Sequence, residues 1–139
     1  MFAVDRHAVT GGDSGCNSPW ERSMNRFPTI NRFAVILIPT EACLDWVRSC
    51  PDGDDHMTLG EMQREPTTYL IPETKRVPPE DWVRRHSKAM FHEELDSWCT
   101  DRCMWPKDLS FKAFKKFFEV NISTVVFDLG KGPIEKEDE

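Results

Sequence analysis

Six consecutive apolar residues, Phe33-Ala34-Val35-Ile36-Leu37-Ile38, end at Pro39-Thr40. A strand with one wet face alternates apolar and polar residues, and this one does not. Such a run reads as a strand buried on both faces, central in a sheet with helices packed above and below. That requirement makes the chain a globular domain with a real core. At 139 residues it has the length for one domain that buries about two-thirds of its unfolded surface.

The remaining patterns surround that strand. Cys43, Trp46, Val47 and Cys50 recur at helical spacing, so a helix is expected over about 41–50, with Thr40 as N-cap and Glu41 at the positive end. Pro51-Asp52-Gly53-Asp54-Asp55 stops it. Thr58 and Glu61 have capping-box spacing and predict a short helix to about Arg64. Thr67–Ile71, bounded by prolines, reads as a second strand. Pro78-Pro79-Glu80-Asp81 opens the longest helix, to about Trp98, because proline suits a first turn whose N–H groups have no helical partner. Ser110 caps a helix with Phe111, Phe114, Phe117 and Phe118 inward, and Thr124–Leu129 is the expected third strand. The chain between the first two strands is long enough for a parallel crossover. The expected fold is therefore α+β: a small three-stranded mixed sheet, first strand central, covered by helices in the order β-α-α-β-α-α-β. Its expected core is Val35, Leu37, Trp46, Leu70, Phe91, Leu95, Trp98, Phe114 and Val126.

Residues 1–29 mix Gly11-Gly12, Ser14-Gly15 and scattered charges without periodicity and read as a flexible leader. The folded domain is expected over 30–130, and 131–139 as a disordered acidic tail. Met24 stands just before the patterned region and is an alternative start, which the intact mass of the native product would distinguish. Net charge is −6, which argues against sequence-independent nucleic-acid binding, where Lys and Arg neutralise phosphates. No stretch suits a signal core or a membrane span, so a cytoplasmic protein is expected. Five cysteines in that compartment read as reduced thiols.

Motifs of chemistry are sparse. His92-Glu93-Glu94-Leu95-Asp96 shares only its first letters with the HExxH helix of zinc proteases; Asp96 stands where the second ligand belongs. Cys99 and Cys103 have a spacing zinc permits, and Cys43 and Cys50 or His86 and His92 would complete a set. Against that, thiols on an inner helix face are ordinary core. Counted from Asp52, a calcium loop lacks its sixth-position glycine and twelfth-position glutamate. Outward Lys107, Lys112, Lys115 and Lys116 are the solvated side of an amphipathic segment. No nucleophile elbow and no glycine-rich phosphate loop occurs. No catalytic residue, metal or cofactor is assigned.

One place has interaction chemistry. His92, Glu93 and Asp96 lie on the long helix, followed closely by Trp98, Asp101, Arg102 and Trp105. Tryptophan and arginine beside acids form the kind of surface on which binding energy concentrates. The leading expectation is a non-enzymatic protein-interaction or regulatory protein with a protein partner and with neither nucleic acid nor membrane bound. The other class is a small enzyme or metal-binding protein using Cys99, Cys103, His86 and His92.

The strand Asn31–Pro39, then Leu44-Asp45-Trp46, Tyr69–Glu73, Met90–Trp98, Trp105-Pro106 and Phe117-Phe118 before Val126–Leu129 form a further pattern. It resembles a family of small, uncharacterised bacterial proteins across about 31–129. The resemblance implies a bacterial source and supplies no activity and no site residue.

Overall fold

The computed structural model describes residues 27–51 and 56–137; the expected leader through residue 26 and the polar stop at 52–55 lie outside them. Residues 30–126 form one compact unit. Its elements are β1 (Arg32–Pro39), α1 (Glu41–Ser49), α2 (Leu59–Gln63), β2 (Thr67–Pro72), α3 (Pro79–Trp98), a 3-10 turn (Arg102–Met104), α4 (Phe111–Phe117) and β3 (Phe118–Ser123). The fold is α+β, with a three-stranded sheet in the order β2-β1-β3 and the first strand in the middle.

The sheet is antiparallel at both pairings, not mixed, and no parallel crossover links β1 to β2. The cause is where each helical connection delivers the chain. After α1 and α2 the chain is back at the end of β1, where the Gln63 side-chain amide donates to the Pro39 carbonyl at 2.9 Å. The next strand can then only run back along β1. The same happens at α4, whose last carbonyl, on Phe117, accepts from the Thr40 N–H at 2.9 Å. The Thr40 hydroxyl is shared between the Lys116 and Phe117 carbonyls, so it does not cap α1 as its position suggested.

β3 is Phe118–Ser123, upstream of the expected 124–129. Phe118, Val120 and Ile122 alternate inward, a period of two that the preceding phenylalanine run conceals. The capping box at Thr58 forms, with the Glu61 N–H donating to the Thr58 hydroxyl at 3.2 Å and the Thr58 N–H to the Glu61 carboxylate at 3.3 Å.

Burial of β1 is nearly complete on one side and partial on the other. Val35 and Leu37 share one core cluster with Trp46, Phe91, Leu95 and Phe114, so the helices stand on a single face. On the opposite face Ala34 is buried, Ile36 and Ile38 are half-buried, and Thr68, Glu119 and Asn121 are exposed. Leu70, expected in the core, faces that side and is 46% exposed, because Tyr69 and Ile71 take the two inward positions around it. Trp98 packs against the core half-buried. Val126 is also half-buried and outside the cluster, because its segment is not a sheet strand; its carbonyl accepts from the Ile30 N–H at 2.9 Å.

In the second unit, Thr29 and Phe127 form an isolated antiparallel bridge and the Asp128 N–H donates to the Pro28 carbonyl at 2.9 Å. Residues 131–137 carry no regular element.

Candidate functional site

The last turns of α3 and the 3-10 turn after it bring together five of the seven residues expected at an interaction surface. His92, Glu93, Asp96, Arg102 and Trp105, with Ala89, line one open hollow of about 190 Å³. His92 and Asp96 share a helix face at i and i+4. The Arg102 guanidinium lies over the Trp105 ring, 5.3 Å from its centre, a cation–π contact. The His92 ring tilts against the same tryptophan at 5.3 Å. Trp105 is held in place by its indole N–H, which donates to the Cys99 carbonyl at 2.8 Å. Nε2 of His92 is shielded from solvent and has no hydrogen-bond partner among the described residues.

Asp101 and Trp98 do other work. The Asp101 carboxylate accepts from the Cys103 N–H at 3.0 Å and caps the 3-10 turn. Trp98 lies against the core. A second indole anchors the same turn from beneath, Trp46 donating to the Met104 carbonyl at 2.8 Å. The site is thus an aromatic and charged cap on a turn pinned by two tryptophan N–H groups.

Comparison with protein-family models, with curated proteins and with solved structures finds no match. The chemistry of the chain has to be read from its own side chains.

Among the described residues the thiols and imidazoles do not assemble into a ligand set. Cys99 is buried and its thiol donates to the Asp101 carbonyl, while Cys103 is exposed. His86 stacks on Trp82 at 3.6 Å between ring centres. Among the described residues no three His, Cys, Asp or Glu side chains converge as a metal-holding group. Burial, with the charge of Glu94 nearby, pushes the Cys43 thiol up to about 12, so it stays protonated at neutral pH and is a poor nucleophile.

Two features escaped the sequence reading. Trp82, His86, Met90, Tyr69 and Ile71 line a second hollow of about 260 Å³ between α3 and β2. The other is Glu94, which sits in the apolar core at 6% exposure although its neighbours are a solvated acidic run. It accepts from the Tyr69 hydroxyl at 2.8 Å and the Thr67 hydroxyl at 3.1 Å. The signal was in the spacing, since Glu94 falls four residues after Met90 and beside Leu95 on the buried stripe of α3.

Burial outweighs those two hydrogen bonds and holds the Glu94 carboxyl above the ordinary glutamate range. Burial and the adjoining carboxylate likewise push the Tyr69 phenol up. An acid with a raised folded pKa binds its proton more tightly folded than unfolded. Its stabilising contribution is complete below the unfolded value and is lost as pH rises through the folded one. Glu94→Gln removes the titration, so its unfolding free energy should fall less than that of the parent between about pH 4 and pH 7. Urea unfolding of both proteins across that range measures it; parallel curves would contradict the assignment.

Proposed function

We propose that the protein is a non-enzymatic protein-interaction or regulatory protein of the bacterial cytoplasm: an adaptor, a regulator, or an immunity-type inhibitor that masks a basic partner. The observation that carries the reading is the Arg102–Trp105–His92 cluster lining a hollow that also holds Glu93 and Asp96. Binding energy concentrates on tryptophan and arginine held rigidly beside polar groups, and here both are pre-positioned. A net charge of −6 favours a basic partner and disfavours nucleic acid. No helix among the described residues is long and apolar enough to cross a membrane. The alternative, a small enzyme or metal-binding protein using Cys99, Cys103, His86 and His92, has less support because no three such side chains converge among the described residues.

Arg102 is exposed, so its truncation should leave the fold intact. Purification of the full chain from native cells should yield a stoichiometric protein partner, and Arg102→Ala, which removes the guanidinium from the Trp105 ring, should weaken that partner's binding at least about tenfold, the scale of a hot-spot residue. A stoichiometric metal or small molecule in place of a protein would overturn the reading in favour of the alternative.

A further inference from the structure

A third hollow, of about 320 Å³, has no part in the interaction surface at Arg102. Glu80 and Val83 of α3, Phe111 and Lys115 of α4, and Val120 and Ile122 of β3 line it. Val120 and Ile122 point toward the helices, yet both are only half-buried. They are half-buried because β3 is an edge of the sheet. Among the described residues it pairs with β1 alone, and no backbone group outside β1 bonds to residues 119–122. The two sheet edges differ in how they are guarded. Pro66 and Pro72 bracket β2, and proline has no N–H to offer a neighbouring strand; Phe118–Ser123 contains no proline. An open, unguarded edge is a template for a further strand.

The charges beside the hollow say which strand. Glu80 and Lys115 are both exposed and stand toward opposite ends of β3. At Glu94, whose carboxylate accepts from the Thr67 hydroxyl, α3 lies at the level of Leu37, the β1 partner of both Thr67 and Val120. Glu80 is about 21 Å back along the helix at 1.5 Å per residue, toward the end where β3 finishes at Ser123. Lys115 stands two residues before Phe117, whose carbonyl accepts from the Thr40 N–H at the end where β3 begins. An antiparallel strand of the same sequence exchanges those two ends. We infer that β3 pairs with β3 of a second copy of the chain about a two-fold axis, making one continuous six-stranded antiparallel sheet. Residues directly opposite in such a pair face the same way. With Asn121 at the axis, Val120 meets the partner's Ile122 on the helix side, and Glu119 meets the partner's Ser123. The helices of both copies then lie on one side of the joined sheet, and Glu80 comes opposite the partner's Lys115, twice over, as a self-complementary interface requires. The Arg102–Trp105 cluster lies past the far end of α3, so this pairing goes beyond the interaction reading and does not depend on it.

Sedimentation equilibrium of the full chain tests this. Toward about 100 µM the mass should reach twice the chain's 16.2 kDa, and amide exchange over residues 119–122 should slow as concentration rises. Lys115→Glu and Glu80→Lys each place like charges opposite one another at both ends of the interface. Each should weaken self-association at least about tenfold while stability to urea stays nearly unchanged, since both side chains are exposed. An equimolar mixture of the two variants should associate again as a heterodimer, because each copy then meets opposite charge at both ends. Interactions within one chain cannot produce that rescue. A chain that stays monomeric across the range would overturn the inference, as would a dimer whose protection lies outside β3 or a mixture no tighter than either variant alone. Slowed exchange at 119–122 that needs a different protein would also overturn it and assign the edge to that partner. The native partner's dependence on Arg102 is read separately, so the interaction reading and the β3 pairing fail on different measurements.

Discussion

Phe91→Ala will lower the unfolding free energy by about 3–5 kcal/mol, the range for truncating a buried aromatic ring. Phe91 is 0% exposed and presents edges or faces to three other rings, Phe114, Phe117 and Phe118, at 5.3–6.0 Å. Those rings come from α4 and from the first residue of β3, so the cavity would open where the longest helix meets the sheet. Close-packed aromatic neighbours held by two elements have little freedom to collapse into the gap. Measured against a total stability of about 5–15 kcal/mol for a domain of this kind, the loss leaves a marginal protein. Urea unfolding gives the number, and a loss under about 2 kcal/mol would mean that the rings close the cavity by rearranging.

Trp46→Ala is expected to cost about the same, 3–5 kcal/mol, and to do something Phe91→Ala does not. The Trp46 ring is buried among core residues of α1 and lies 6.3 Å from Phe117, while its N–H holds the Met104 carbonyl. Met104 ends the 3-10 turn that begins at Arg102. Loss of the indole therefore removes core packing and frees the turn that presents Arg102 and Trp105. Trp46→Phe separates the effects: it keeps most of the ring and should cost about 1 kcal/mol for the hydrogen bond, plus the smaller ring's lost area. Amide exchange at Cys103 and Met104 should accelerate in both variants. Unchanged exchange there would mean that the indole N–H does not secure the turn.

Local signals carried most of the element boundaries. The Thr58–Glu61 capping box, the proline-opened helix and the Ser110 cap depend on neighbours within a turn or so, and they form where their residue types predict. The gathering of His92, Glu93, Asp96, Arg102 and Trp105 was legible for a related reason: the 3-10 turn folds back at short range onto the helix that precedes it. Strand direction was not local. Whether β2 and β3 run with or against β1 depends on which end of β1 the intervening helices return to, and that is set by contacts such as Gln63 to Pro39 and Thr40 to Phe117. Residues more than twenty apart in sequence decide it.

The same division explains the misplaced side chains. An unbroken apolar run such as Phe33–Ile38 determines that a central strand exists, since few other environments accept it. It does not determine how many layers cover that strand. Only tertiary packing placed every described helix on one face and left Ile36, Ile38 and Leu70 toward the other. Composition and spacing likewise determined an α+β domain with an aromatic core and a charged, tryptophan-bearing turn. The buried Glu94 with its two hydroxyl donors, and the hollow between α3 and β2, exist only because β2 comes to lie beside that helix. A carboxylate's burial and a hollow's second wall are properties of two elements at once, and a one-dimensional pattern specifies each element's faces without saying which faces meet.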